Sequence, residues 1–176
     1  MRYAAIALLL TAAPVAAQVD DEFPLETRIL LAGLAAADEA VGVYEEAFAH
    51  LDSAAVDAEA IRFLRQRGFE GATGAAQASF LLEVGGALRN EPAGDPEAPL
   101  TDDEIELMTL LTQLQVIGGD LVELDACEGD ALPLDVGALA AGVQPTFERI
   151  RELVVLLQAG VEGMGEELEE SQEDRP

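Results

Sequence analysis

Residues 100–115 read LTDDEIELMTLLTQLQ. Thr101 carries a hydroxyl suited to accept the backbone N–H three positions on, and Glu104 sits where its carboxylate can return a bond to the N–H of Thr101. Leu100 and Ile105 flank the pair as an apolar staple. This combination fixes a helix start. Beyond it Leu107, Leu110, Leu114, Ile117, Leu121 and Leu124 recur at intervals of three and four, the spacing that lines one face of an α-helix. The pattern ends in DACEGDALP, residues 125–133.

The same spacing governs most of the chain. Leu30, Leu34, Ala37, Val41, Tyr44, Phe48 and Leu51 form a heptad-like seam on a helix over residues 24–51. A shorter helix is predicted over 53–67, with Val56, Ile61, Phe63 and Leu64, stopping at Gly68. Thr73 then caps a third helix reaching Asn90, with Ala78, Leu81, Gly85 and Leu88 along one side. The stretch NEPAGDPEAP, residues 90–99, is a loop by its prolines and glycine. A last helix over 144–165 takes Pro145 into its first turn and uses Phe147, Ile150, Val154, Leu157, Val161 and Met164 as its seam. No run alternates in the manner of a strand. The expectation is an all-α antiparallel bundle of four or five helices with heptad-like seams, occupying residues 18–165.

The two ends read differently. Residues 1–17, MRYAAIALLLTAAPVAA, place one positive charge at Arg2, then an apolar run, a proline break and small residues. That is the order of parts in a signal peptide, with cleavage between Ala17 and Gln18 and a periplasmic or secreted destination. The apolar run is too short to span a bilayer, and no later segment is continuously apolar for that length, so no membrane insertion is expected after cleavage. At the other end, residues 166–176 are acidic, nearly free of apolar side chains, and read as a disordered tail.

Composition narrows the function. The chain has 35 acidic residues against 9 basic ones, for a formal charge of −26. A field of that sign repels nucleic acid and anionic surfaces and favours basic partners or cations. The basic residues are all arginine. Cys127 is the single cysteine, which excludes a disulfide within the chain and any paired-cysteine site. His50 is the single histidine, which excludes two-histidine metal sites. His50 lies beside a seam that runs through Phe48 and Leu51, on the solvated side near a helix end.

Three stretches carry candidate chemistry. LTQLQ, residues 111–115, has the form LTxxQ and resembles the paired motif of the small periplasmic stress chaperones, which are exported and helical. It is one copy of five residues inside a helix, and the better-placed LTDDE ends in Glu. Helix packing therefore accounts for it without a motif. Asp120, Glu123, Asp125, Glu128 and Asp130 crowd the end of one helix and the loop beyond it. They offer the hard oxygens that calcium takes, although not at EF-hand spacing. RFLRQRGF, residues 62–69, gathers Arg62, Arg65 and Arg67 beside Phe69. Those arginines either pair with acidic neighbours such as Glu59 or mark the place where an acidic partner, or the protein's own tail, docks.

The predicted seams contain no carboxylate whose burial would tune a general acid or base, and no nucleophile elbow, phosphate loop or dinucleotide fingerprint occurs. The sequence thus points to an exported protein that is not an enzyme, holds no cofactor, and acts through contacts with a basic protein partner. A second reading makes it a binder of a divalent cation or small ligand through residues 120–130.

Overall fold

The helix start at Thr101 is built as its residues dictate. The Glu104 N–H donates to the Thr101 hydroxyl at 3.2 Å and the Thr101 N–H donates to the Glu104 carboxylate at 2.8 Å. The computed structural model describes residues 23–49, 58–90, 100–124 and 136–173. These form four α-helices packed against one another: α1 (Leu25–Ala49), α2 (Ala58–Asn90), α3 (Asp102–Val122) and α4 (Val136–Glu173). Among the described residues there is no strand.

The α1 seam is core as expected. Leu30, Leu34, Ala37, Val41 and Tyr44 are buried and Phe48 packs at their edge, while Leu51 lies outside the described residues. Ala32, Ala36, Ala40 and Ala47 are buried as well. Their small side chains widen the packed face and let α2 come close. Gly33 meets Leu81 and Leu82, Ala40 meets Gly74, and Tyr44 meets Gly71. Rising numbers on one helix face falling numbers on the other, so α1 and α2 run antiparallel.

The break predicted at Gly68 does not occur. One helix continues from Ala58 to Asn90, and Thr73 is no cap, because its hydroxyl donates to the Phe69 carbonyl one turn back at 2.8 Å. Gly68, Gly71 and Gly74 are instead points of close approach. A Cβ on Gly68 would stand 2.7 Å from the Cβ of Leu121, and one on Gly71 would strike the Tyr44 ring. The helix-propensity loss at these glycines, roughly 0.5–1 kcal/mol each, is offset by the packing they permit.

On α3 the fully buried line is Leu107, Leu111, Leu114, Gly118 and Leu121, with Leu110, Ile117 and Leu124 at its margin. LTQLQ therefore behaves as helix core: Leu111 and Leu114 face inward, and the Thr112 hydroxyl donates to the Met108 carbonyl at 2.9 Å. Leu100 reaches α2 at Gly86, while Ile105 stays 49% exposed on the outer side. By length and mean hydropathy (1.2) α3 is long and apolar enough to cross a membrane. Here its leucine face is the surface that meets the other helices.

The last helix begins earlier than its sequence pattern suggested, at Val136, and holds Pro145 in its interior. Proline cannot donate to the carbonyl of Ala141, and both residues lie on the exposed side of the helix. Val143, Phe147, Ile150, Leu153, Val154 and Val161 make its buried face. Phe147 stacks on Tyr44 at 6.0 Å and on Phe48 at 6.4 Å. The helix does not end at 165 but runs to Glu173, into the segment read as a disordered tail. Glu, Gln and Leu there are good helix formers.

Scarce arginines join neighbouring helices. Arg67 of α2 reaches Glu46 of α1 at 3.0 Å, and Arg89 of α2 reaches Glu104 of α3 at 2.9 Å. Arg149 of α4 reaches Glu106 of α3 at 2.7 Å, and Arg151 of α4 reaches Asp38 and Glu45 of α1 at 3.2 and 2.7 Å.

Candidate functional site

Of the four residues marked as a partner site, the fold separates two from the others. Arg62 is exposed and its Nε donates to the Ala58 carbonyl of its own helix at 3.1 Å; Arg65 is exposed beside it. Arg67 turns toward α1, where it pairs with Glu46 and Glu70 at 3.0 Å each and lies 5.4 Å from the centre of the Phe63 ring. The acidic neighbours that Arg67 finds satisfy its charge. Phe69, by contrast, is 64% exposed.

Arg67 and Phe69 help to line a groove of about 480 Å³ along the α1/α2 face, floored by Ala36, Ala40, Val43 and Gly74 and edged by Glu39 and Glu70. Small residues set the floor because the helices approach closely there: a Cβ on Gly74 would already lie 3.3 Å from the Ala40 Cβ. An aromatic ring thus stands beside a small-residue floor with carboxylates at the rim.

In the acidic stretch, Asp120 and Glu123 are exposed at the C-terminal end of α3, and Asp125, Cys127, Glu128 and Asp130 lie outside the described residues. Among the described residues no three His, Cys, Asp or Glu side chains are grouped so as to hold a metal ion. His50, Ala17 and Gln18 also lie outside them.

The expectation that no carboxylate sits in the packed face is corrected at one position. Glu104 is 5% exposed. Burial opposes its ionisation, yet the Arg89 guanidinium and the Thr101 N–H donate to it, and together they hold the carboxyl below its ordinary value. Arg89 donates to both carboxylate oxygens, at 2.9 and 3.1 Å. Glu104 is therefore a fixed anion in an ion pair, the opposite of a carboxylic acid poised to give up a proton. The capping-box pattern located Glu104; nothing in the sequence paired it with Arg89.

Beside this ion pair lies a cleft of about 470 Å³ that the sequence reading did not anticipate. Its walls come from four helices: Leu30 and Leu34 of α1, Leu82 of α2, Leu156, Leu157 and Val161 of α4, and the Thr101–Glu104 turn at the start of α3. No periodic pattern announces it, because seam residues line it where α4 leaves a gap.

Among the described residues Tyr44 is the remaining buried group with a titratable proton. Its hydroxyl donates to the Leu114 carbonyl at 2.7 Å, and burial pushes the phenol well above its ordinary value. It links α1 to α3. No protein-family model, no curated protein and no solved structure matches the chain.

Proposed function

We propose that this chain is an exported, non-enzymatic helical-bundle protein that works by binding another protein, with the α1/α2 groove at Phe69 as the contact face. One observation carries the reading. Phe69 is a large aromatic side chain left 64% exposed at a groove of about 480 Å³, and aromatic side chains of this kind anchor protein interfaces.

The partner's chemistry follows from the rim. Glu39, Glu46 and Glu70 surround a single cation, Arg67, which is already paired. A partner helix with apolar and basic residues fits this surface; an acidic one does not. Export rests on residues 1–17, with cleavage before Gln18 and a periplasmic or secreted destination.

The test is a photo-crosslinking amino acid placed at Phe69, with a second at the exposed Gln113 of α3 as control, in the native host. A single adduct formed from position 69 and absent from position 113 is expected. The same preparation gives the intact mass, which should correspond to a chain beginning at Gln18. Equal labelling from both positions, or none, refutes the contact face, and a full-length cytoplasmic form refutes export.

A further inference from the structure

The four-helix cleft lies away from the Phe69 groove, and it has a different character. Leu30, Leu34, Leu82, Leu156, Leu157 and Val161 make an aliphatic wall, while Arg89, Thr101, Asp103 and Glu104 make one polar edge. Such a division of labour, apolar walls with a few polar groups at one side, is the usual form of a small-molecule site, and about 470 Å³ falls within the customary range of roughly 300–1,000 Å³.

The charges at the polar edge decide which head group it takes. Both oxygens of Glu104 receive bonds from Arg89, and one also receives the Thr101 N–H. Arg89 and Glu104 thus cancel. Asp103 remains, partly exposed and without an ion-pair partner among the described residues. The residual charge at this edge is negative, in a chain whose formal charge is −26. A carboxylate or sulfate head would meet Asp103 with no free cation to offset it, whereas an ammonium head would pair with it.

Two features keep the cleft open. Gly160 has no side chain to fill it, and a Cβ added there would meet no atom within 4 Å. Leu156, next to it in the lining, is 54% exposed, an unusual state for a leucine that helps to form a concave wall. Apolar surface is therefore in place that a hydrocarbon chain would cover.

We infer that the cleft between α1, α2, α3 and α4 is a binding site for a single-chain amphiphile with a cationic head, the tail lying along Leu30, Leu34, Leu157 and Val161 and the head at Asp103.

Decyltrimethylammonium, kept below its micelle-forming concentration, is the probe, followed by calorimetry with decyl sulfate and tetramethylammonium as comparisons. Saturable binding of one molecule per chain is expected for decyltrimethylammonium, with both comparison compounds at least tenfold weaker. Gly160→Leu adds a side chain at the cleft from a position whose Cβ meets no atom within 4 Å, so it should melt close to the wild-type temperature and bind the probe at least tenfold more weakly. Asp103→Asn should weaken binding about fivefold, and Glu148→Gln, exposed on α4 outside the lining, should leave it unchanged. Undiminished binding in a folded Gly160→Leu protein overturns the proposal. So does equal affinity for decyl sulfate. A dimer in sedimentation that Gly160→Leu dissolves would assign the cleft to a second copy of the chain and overturn it likewise.

Discussion

Gly118 and Gly119 are adjacent in sequence and should respond to alanine with opposite signs. A Cβ on Gly118 would fall on the Tyr44 hydroxyl and the Gly68 carbonyl and stand 2.7 Å from the Ala72 Cβ, whereas one on Gly119 would meet no atom within 4 Å. Both substitutions gain roughly 0.5–1 kcal/mol from the restricted helix backbone. At Gly119 nothing opposes that gain. At Gly118 the added methyl must push apart α1, α2 and α3, which costs about 1–3 kcal/mol for overpacking. Displacing the Tyr44 hydroxyl from Leu114 also forfeits a hydrogen bond worth about 0.5–1.5 kcal/mol. The net expectation is that Gly119→Ala is more stable than wild type by about 0.5–1 kcal/mol and Gly118→Ala less stable by about 1–3 kcal/mol. Urea unfolding followed by far-UV circular dichroism reads both, and an unchanged m-value shows that stability has changed while the surface exposed on unfolding has not. Tyr44→Phe in the Gly118→Ala background removes one of the clashing atoms, so the double variant should be more stable than the sum of the two single changes implies. Stabilisation by Gly118→Ala, or strict additivity of the pair, would refute the packing argument.

Other outcomes follow from the charges. Because the folded Glu104 carboxyl titrates below its ordinary value, its contribution is complete above the unfolded carboxyl's pKa and is lost as pH falls through the folded one. Wild type should therefore out-melt Glu104→Gln at neutral pH and lose that advantage in strong acid; a gap that persists in acid contradicts the pairing with Arg89. With 35 acidic against 9 basic residues, repulsion outweighs the ion pairs, so sodium chloride raised to about 0.15 M should raise the melting temperature. Calcium at equal ionic strength should stabilise more than sodium only if residues 120–130 form a specific site, and a melting series in the two salts decides it. In sequence Cys127 is flanked by Asp125, Glu128 and Asp130, a setting in which a quiet thiol is expected. Cys127→Ser should leave the melting temperature unchanged, and a Cys127-dependent dimer on non-reducing gels would contradict that quiet role.

The helical class and the buried faces were legible because they rest on periodicity. Leu30, Leu34, Val41 and Tyr44 on α1, and Leu107, Leu114 and Leu121 on α3, were assigned inward by spacing alone and are buried. The capping box at Thr101 and Glu104 was legible because its atoms are local. What sequence could not supply was the meaning of a glycine. At Gly68 the same residue type ends a helix or admits a neighbour, and only the presence of Leu121 and Gly118 against it selects the second. Pro145 is a parallel case: its cost in a helix interior depends on whether the orphaned carbonyl reaches water, a tertiary fact. The candidate sites were less legible still. Phe69 was singled out for its arginine neighbours, two of which lie outside the groove, while the cleft at Asp103 arises from residues of all four helices that share no sequence pattern.

The absence of lysine has a structural consequence in this charge balance. Arg89 donates to both oxygens of Glu104, Arg149 to both oxygens of Glu106, and Arg151 to both oxygens of Glu45. Each is a two-bond fork, which fixes the angle of approach as well as the distance, and an ammonium group cannot reproduce it. The forks of Arg149 and Arg151 are exposed, so their Coulomb attraction is screened and adds little stability. Their effect is better described as choice of register. A helix packed by near-equivalent aliphatic residues can slide or rotate by a turn at small energetic cost, and α4, whose inward face is mostly aliphatic around Phe147, is open to that error. Arg149 and Arg151 are two residues apart on α4 and reach opposite neighbours, α3 and α1. A rotation that kept one fork would break the other, and in a chain this acidic a displaced carboxylate finds few other cations.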